Sequence, residues 1–147
     1  MTPPARSITI VLADDDAEDR ELVREALLES RLRNDLHTVE DGEELMDYLY
    51  RRGLHADKDA SPRPGLILLD LAMPRKNGRE ALAEIKSDPS LLQIPVIIMT
   101  TSSADEDICR SYDLGASSYI TKPVTFPALV AVMKDIGRYW FEIVELP

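Results

Sequence analysis

The chain has 147 residues, 44% of them hydrophobic and 30% charged, which is enough apolar material for one compact core and too little for several. Its formal net charge of −10 would repel nucleic-acid phosphates, and no Lys/Arg-rich stripe offsets that charge, so neither nucleic acid nor a membrane is an expected partner. A lone cysteine, Cys109, excludes an internal disulfide; with no signal-like or long apolar run at the N-terminus, the expected compartment is the cytoplasm.

In chain order, the apolar run Ile8–Ala13 reads as a strand and ends in three consecutive carboxylates, Asp14, Asp15 and Asp16. Asp16 is placed to cap a helix starting at Ala17, whose apolar stripe is Leu22, Val23, Ala26 and Leu27. Leu36–Val39 reads as a second strand, and Leu45, Met46 and Leu49 mark a second helix. Gly53 to Gly65 is a polar Pro/Gly connection, longer than the usual two to six or so residues. A third strand, Leu66–Leu69, runs into Asp70 and a Pro/Asn/Gly loop, with a helix carrying Leu82 and Ile85 behind it. Pro95–Thr100 is a fourth strand followed by Thr101, Ser102 and Ser103, one of the two serines capping a helix near Ala104. Ser118–Thr121 is a fifth strand closed by Lys122 and Pro123, and a last helix begins at Phe126. Strands alternating with helices predict βαβ units and a parallel sheet, which holds ligands at the C-terminal ends of its strands.

That edge is where the chemistry collects. Asp14, Asp15 and Asp70 would repel one another in a partly buried site unless something positive joins them, and a hard divalent cation held by oxygens answers that need. Lys122 falls at the same edge and can act as a point charge on phosphate. Thr100 lies too early to be a helix cap. No P-loop, G-x-G-x-x-G, G-x-S-x-G or metal-spaced Cys/His motif occurs, and His37, His55 and Cys109 read as structural.

The ordered set resembles the receiver domain of two-component response regulators: an acidic pair after the first strand, D-x-x-M-P-x-x-N-G from Asp70 to Gly78, Thr100 after the fourth strand, Tyr119 within the fifth and Lys122-Pro123 at its end. The resemblance implies a five-stranded, doubly wound parallel sheet of order 2-1-3-4-5 with helices on both faces, a flavodoxin-like fold. It spans one receiver domain of about residues 6–138, with an extension over 139–147. It further implies Asp70 as phosphoacceptor, Mg²⁺ held by Asp14, Asp15, Asp70 and the Ala72 backbone carbonyl, Lys122 and Thr100 on the phosphoryl oxygens, and Thr100 and Tyr119 as the switch pair. Ala72 and Ser102 occupy the two positions that tune phosphate lifetime in receivers, and both are small.

Beyond Phe126, apolar residues recur at alternating spacings of four and three, at Leu129, Met133, Ile136, Trp140 and Ile143, with Phe141 beside them. A second stripe runs through Val130 and Val144, more than a helix needs to cover a sheet, and predicts a homodimer face. The long connection, the Thr100-Thr101-Ser102 run and the ending Tyr139–Pro147 are also similar to the single-domain regulators of bacterial and cyanobacterial phytochromes, which implies a light-sensing histidine kinase as the upstream partner. The expected role is a signalling switch rather than an enzyme. Alternatives are a phosphorelay intermediate, a binding module independent of phosphorylation, and an aspartyl-phosphate hydrolase, the last disfavoured because Asp70-Leu71-Ala72 lacks that family's second carboxylate.

Overall fold

The computed structural model describes residues 9–30, 35–71, 73–100, 115–116, 118–123 and 125–138, with Thr100 and Ser118 described by their backbones alone. Five parallel strands, β1 (Ile10–Ala13), β2 (Leu36–Val39), β3 (Leu66–Leu69), β4 (Val96–Thr100) and β5 (Ser118–Thr121), form one sheet in the order β2-β1-β3-β4-β5, as the resemblance implied. The described helices are α1 (Ala17–Glu29), α2 (Gly42–Tyr50), α3 (Gly78–Ser87) and α4 (Phe126–Gly137), with a 3-10 turn at Gly53–His55.

Strand side chains alternate between the two faces, and both faces are buried. Val11, Ala13, Ile67, Leu69, Val96 and Ile98 form one core with α2 and α3. Ile10, Leu12, Leu66, Leu68, Ile97 and Met99 form the other with α1 and α4. The helices start where local chemistry dictates. Asp16 accepts from the backbone N–H of Glu18 and Asp19, Asp41 accepts from Glu44, Asn77 and Glu80 cap each other reciprocally, and Thr125 accepts from Ala128.

α4 corrects one expectation. Leu129, Met133 and Ile136, predicted on a dimer face, are buried in this chain's own second core beside Val23, Ala26 and Leu27 of α1. α4 covers the sheet and also meets α1, so it needs a wide apolar face within the monomer. Trp140, Phe141 and Ile143 lie outside the described residues.

The long connection between α2 and β3 is anchored by side chains that reach backbone carbonyls. Tyr48 donates its hydroxyl to Pro62 at 2.8 Å, Arg51 Nε donates to Ser61 at 3.2 Å, and Arg63 donates to Ser90 at 2.7 Å. The rings of His37 and His55 lie 5.7 and 5.3 Å from the ring of Tyr48, and His55 also meets Glu44 at 2.9 Å. No helix among the described residues is long and apolar enough to cross a membrane.

Candidate functional site

The shared direction of the strands brings Asp14, Asp70, Thr100 and Lys122 to one edge of the sheet, each at or just past a strand's C-terminal end. The ladder fixes the two buried acids through their backbones: Asp14 N–H donates to Val39 at 3.1 Å and Asp70 N–H to Ala13 at 3.0 Å. One carboxylate oxygen of Asp14 accepts the Asp16 N–H at 2.9 Å, and its backbone carbonyl accepts from Arg20 at 2.8 Å.

Behind Asp70 the loop to α3 is tightly packed. A Cβ on Gly78 would fall 2.2 Å from the Asp70 carbonyl oxygen and 2.7 Å from Leu71 Cα, and one on Gly42 would fall 2.2 Å from the Lys76 carbonyl oxygen. Glycine at both positions is therefore a steric requirement for seating this loop. Arg75 within it adopts φ +62° and pairs with the buried Asp41 at 3.1 Å, tying the loop to the start of α2.

Asp14, Asp15 and Asp70 each offer a carboxylate oxygen within 4.8 Å of the others, Asp14 and Asp70 buried and Asp15 exposed. Such an all-oxygen, anionic set fits a hard divalent cation with part of its shell left to water or phosphate. The ammonium of Lys122 donates to Asp14 Oδ2 at 2.7 Å, Asp19 Oδ2 at 3.0 Å and Asp70 Oδ2 at 3.1 Å. Burial pushes the Asp14 carboxyl above its ordinary range, opposed by the Lys122 hydrogen bond. For Lys122, burial favours the neutral amine, but its hydrogen bonds and attraction to Asp14, Asp19 and Asp70 outweigh that and hold the ammonium above the ordinary lysine range. A cavity of about 50 Å³ opens beside these groups, with Leu12, Leu22, Met99 and Pro123 among its walls.

Of the residues expected at the site, Asp14, Asp15, Asp70 and Lys122 come together. Thr100 pairs by its backbone with Thr121 at the end of β4. Tyr119 is half-buried on β5, against the core shared with α2 and α3, and so lies on the far side of the sheet from α1. Ala72 and Ser102 lie outside the described residues. Asp19 was not expected: in sequence it is one more acid in a helix's first turn, and only the folded sheet edge brings that turn within reach of Lys122, just past β5.

Known proteins give the same reading as this geometry. Residues 10–134 match the response regulator receiver domain. Response regulator Rcp1 of Synechocystis sp. is 41% identical over 94% of this chain and 92% of its own length. The solved structure of the phosphorylated cyanobacterial phytochrome response regulator RcpA is 44% identical, with a TM-score of 0.88 over 97% of this chain and 99% of that one. The Mn²⁺-bound form of Rcp1 is 41% identical, with a TM-score of 0.84 over 95% and 99%. With a matched family spanning most of its length, this sheet order and these acids at the strand ends, the chain belongs to the response regulator receiver domain family.

Proposed function

We propose that the chain is a phosphorylation-controlled switch in which Asp70 receives a phosphoryl group from the phosphohistidine of a sensor histidine kinase. The observation that carries this reading is the convergence of Asp70 with Asp14, Asp15 and the Lys122 ammonium. An oxygen of Asp70 attacks phosphorus in line, the P–N bond breaks as the P–O bond forms, and the donor ring, already protonated on its other nitrogen, leaves as neutral imidazole. Asp14, Asp15 and Asp70 would hold Mg²⁺, together with the Ala72 carbonyl by family resemblance. Mg²⁺ bound there supplies charge neutralisation for the phosphoryl oxygens. Lys122 supplies a second, mobile positive charge to the same oxygens, starting from contact with the nucleophile's own carboxylate. Thr100 would bind a phosphoryl oxygen and Tyr119 would follow into the space it leaves, so that a local charge change becomes a change of surface.

Similarity to RcpA and Rcp1 makes a phytochrome-type kinase the donor we favour. The output we propose is a protein contact, and a second copy of this chain is the first partner to test, through the apolar run that contains Trp140, Phe141 and Ile143. The test is intact-mass analysis after incubation with acetyl phosphate, with and without Mg²⁺, on wild type and Asp70→Asn, with oligomeric state measured on the same samples. The expected result is one phosphate added to wild type only with Mg²⁺ and none to Asp70→Asn. Equal addition to both proteins would overturn the assignment of Asp70.

A further inference from the structure

Lys122 has three N–H donors, and each meets a different carboxylate, at 2.7 Å on Asp14, 3.0 Å on Asp19 and 3.1 Å on Asp70. Two of these acids belong to the cation-binding group with Asp15; Asp19 does not. It comes instead from the first turn of α1, where its backbone N–H is held by the Asp16 cap, and its side chain is 37% exposed against 1% for Asp14 and 9% for Asp70. A phosphoryl group on Asp70 brings new acceptors that an already saturated ammonium can reach only by giving up one contact. Asp14 and Asp70 are fixed by the strand ladder and by their place in the cation group, whereas Asp19 gives up its contact at least cost, because water can replace Lys122 around an exposed carboxylate.

We propose that Asp19 is a positioning residue that competes with the phosphoryl group for Lys122 and so weights the site toward its unphosphorylated form. This rests on the reading of Asp70 as phosphoacceptor. The competition acts through one direct contact, so it depends on the carboxylate at position 19 and not on negative charge in the neighbourhood. Glu18 provides the control: it is the adjacent acid in the same helical turn and is exposed, whereas the three Lys122 contacts go to Asp14, Asp19 and Asp70.

The experiment measures the affinity of the full chain for beryllofluoride, a phosphoryl mimic, at saturating Mg²⁺, for wild type, Asp19→Asn, Asp19→Glu and Glu18→Gln. Asp19→Asn should bind about two- to fivefold more tightly, the range expected for release of one partly exposed ion pair. Glu18→Gln should match wild type, and Asp19→Glu should return toward it. Unchanged or weaker binding by Asp19→Asn, or an equal gain in Glu18→Gln, overturns the competition and leaves the Asp70 assignment standing. Failure of wild type to bind the mimic overturns both. Asp19→Asn is nearly isosteric and keeps the backbone N–H that Asp16 accepts, so a fold defect is not expected, and a matching thermal melt checks that point.

Discussion

Two polar clusters flank the same sheet and are assembled by opposite rules. Around Lys122, three carboxylates from two strand ends and a helix share one ammonium, with a fourth acid, Asp15, alongside. Around Tyr48, each anchoring side chain reaches a backbone carbonyl, on Pro62, Ser61 or Ser90, and two imidazole rings close against the phenol. In the second cluster each of these donors has its own carbonyl acceptor, which fixes the connection in place, and the buried Ser61 hydroxyl is left without a hydrogen-bond partner. In the first, negative charge exceeds positive, a state that costs stability unless a cation joins it. Surplus charge at a strand edge thus marks a candidate site, and one-to-one contacts to backbone carbonyls mark scaffolding.

The sharpest way to break this contrast is to unseat the loop behind the site without touching a charge. Gly78→Ala forces a methyl into the Asp70 carbonyl, and we expect a loss of about 2 to 4 kcal/mol in denaturant unfolding together with loss of phosphorylation. A smaller effect comes from removing the shared cation. Lys122→Ala leaves the buried acids facing one another and should cost about 1 to 3 kcal/mol near neutral pH. That cost should shrink in acid. Because the Asp14 carboxyl sits above its ordinary range when folded, the native state takes up protons first as pH falls, and a protonated Asp14 no longer needs the ammonium. Lys122 works in the opposite window: its ammonium is held above the usual 10.5, so its contribution is complete below that value and is lost as pH climbs through the higher folded one. A stability difference between the two proteins that stays constant from pH 7 to pH 4 would argue against this coupling. The smallest change is Tyr48→Phe, which removes one hydroxyl from Pro62 and should cost about 1 kcal/mol while leaving phosphorylation at the wild-type level. If that variant were also impaired in phosphorylation, the separation between site and scaffold would fail.

Most of the fold was legible because its signals are local. Strand ends fell where apolar runs met Asp or Lys, and Asp16 capped α1 because an Asp side chain needs only the next turn to do so. Asp14, Asp15, Asp70 and Lys122 were legible as one charged strand edge, and the resemblance added the expected roles of Asp70, Thr100 and Tyr119. Asp19 was invisible because its contact with Lys122 joins residues 103 positions apart, which no helix period encodes. Leu129, Met133 and Ile136 were misread for a related reason: the width of an apolar face does not say whether a second helix of the same chain or of another covers it. Gly78 had been noted only as part of a motif, and its cause is a backbone approach that appears once the loop closes.

Lys122 lies 108 positions along the chain from Asp14 and 52 from Asp70, yet one ammonium touches both. Contacts so distant in sequence carry a large loop-closure cost and form only when the sheet is nearly complete. During synthesis the acids of β1 and β3 are therefore made well before the lysine that balances them. On the function proposed above, a growing chain would meet its cation early but would gain its second phosphate-binding charge only after β5 has been made and docked. On that reading, competence to signal would arrive only with completion of the sheet.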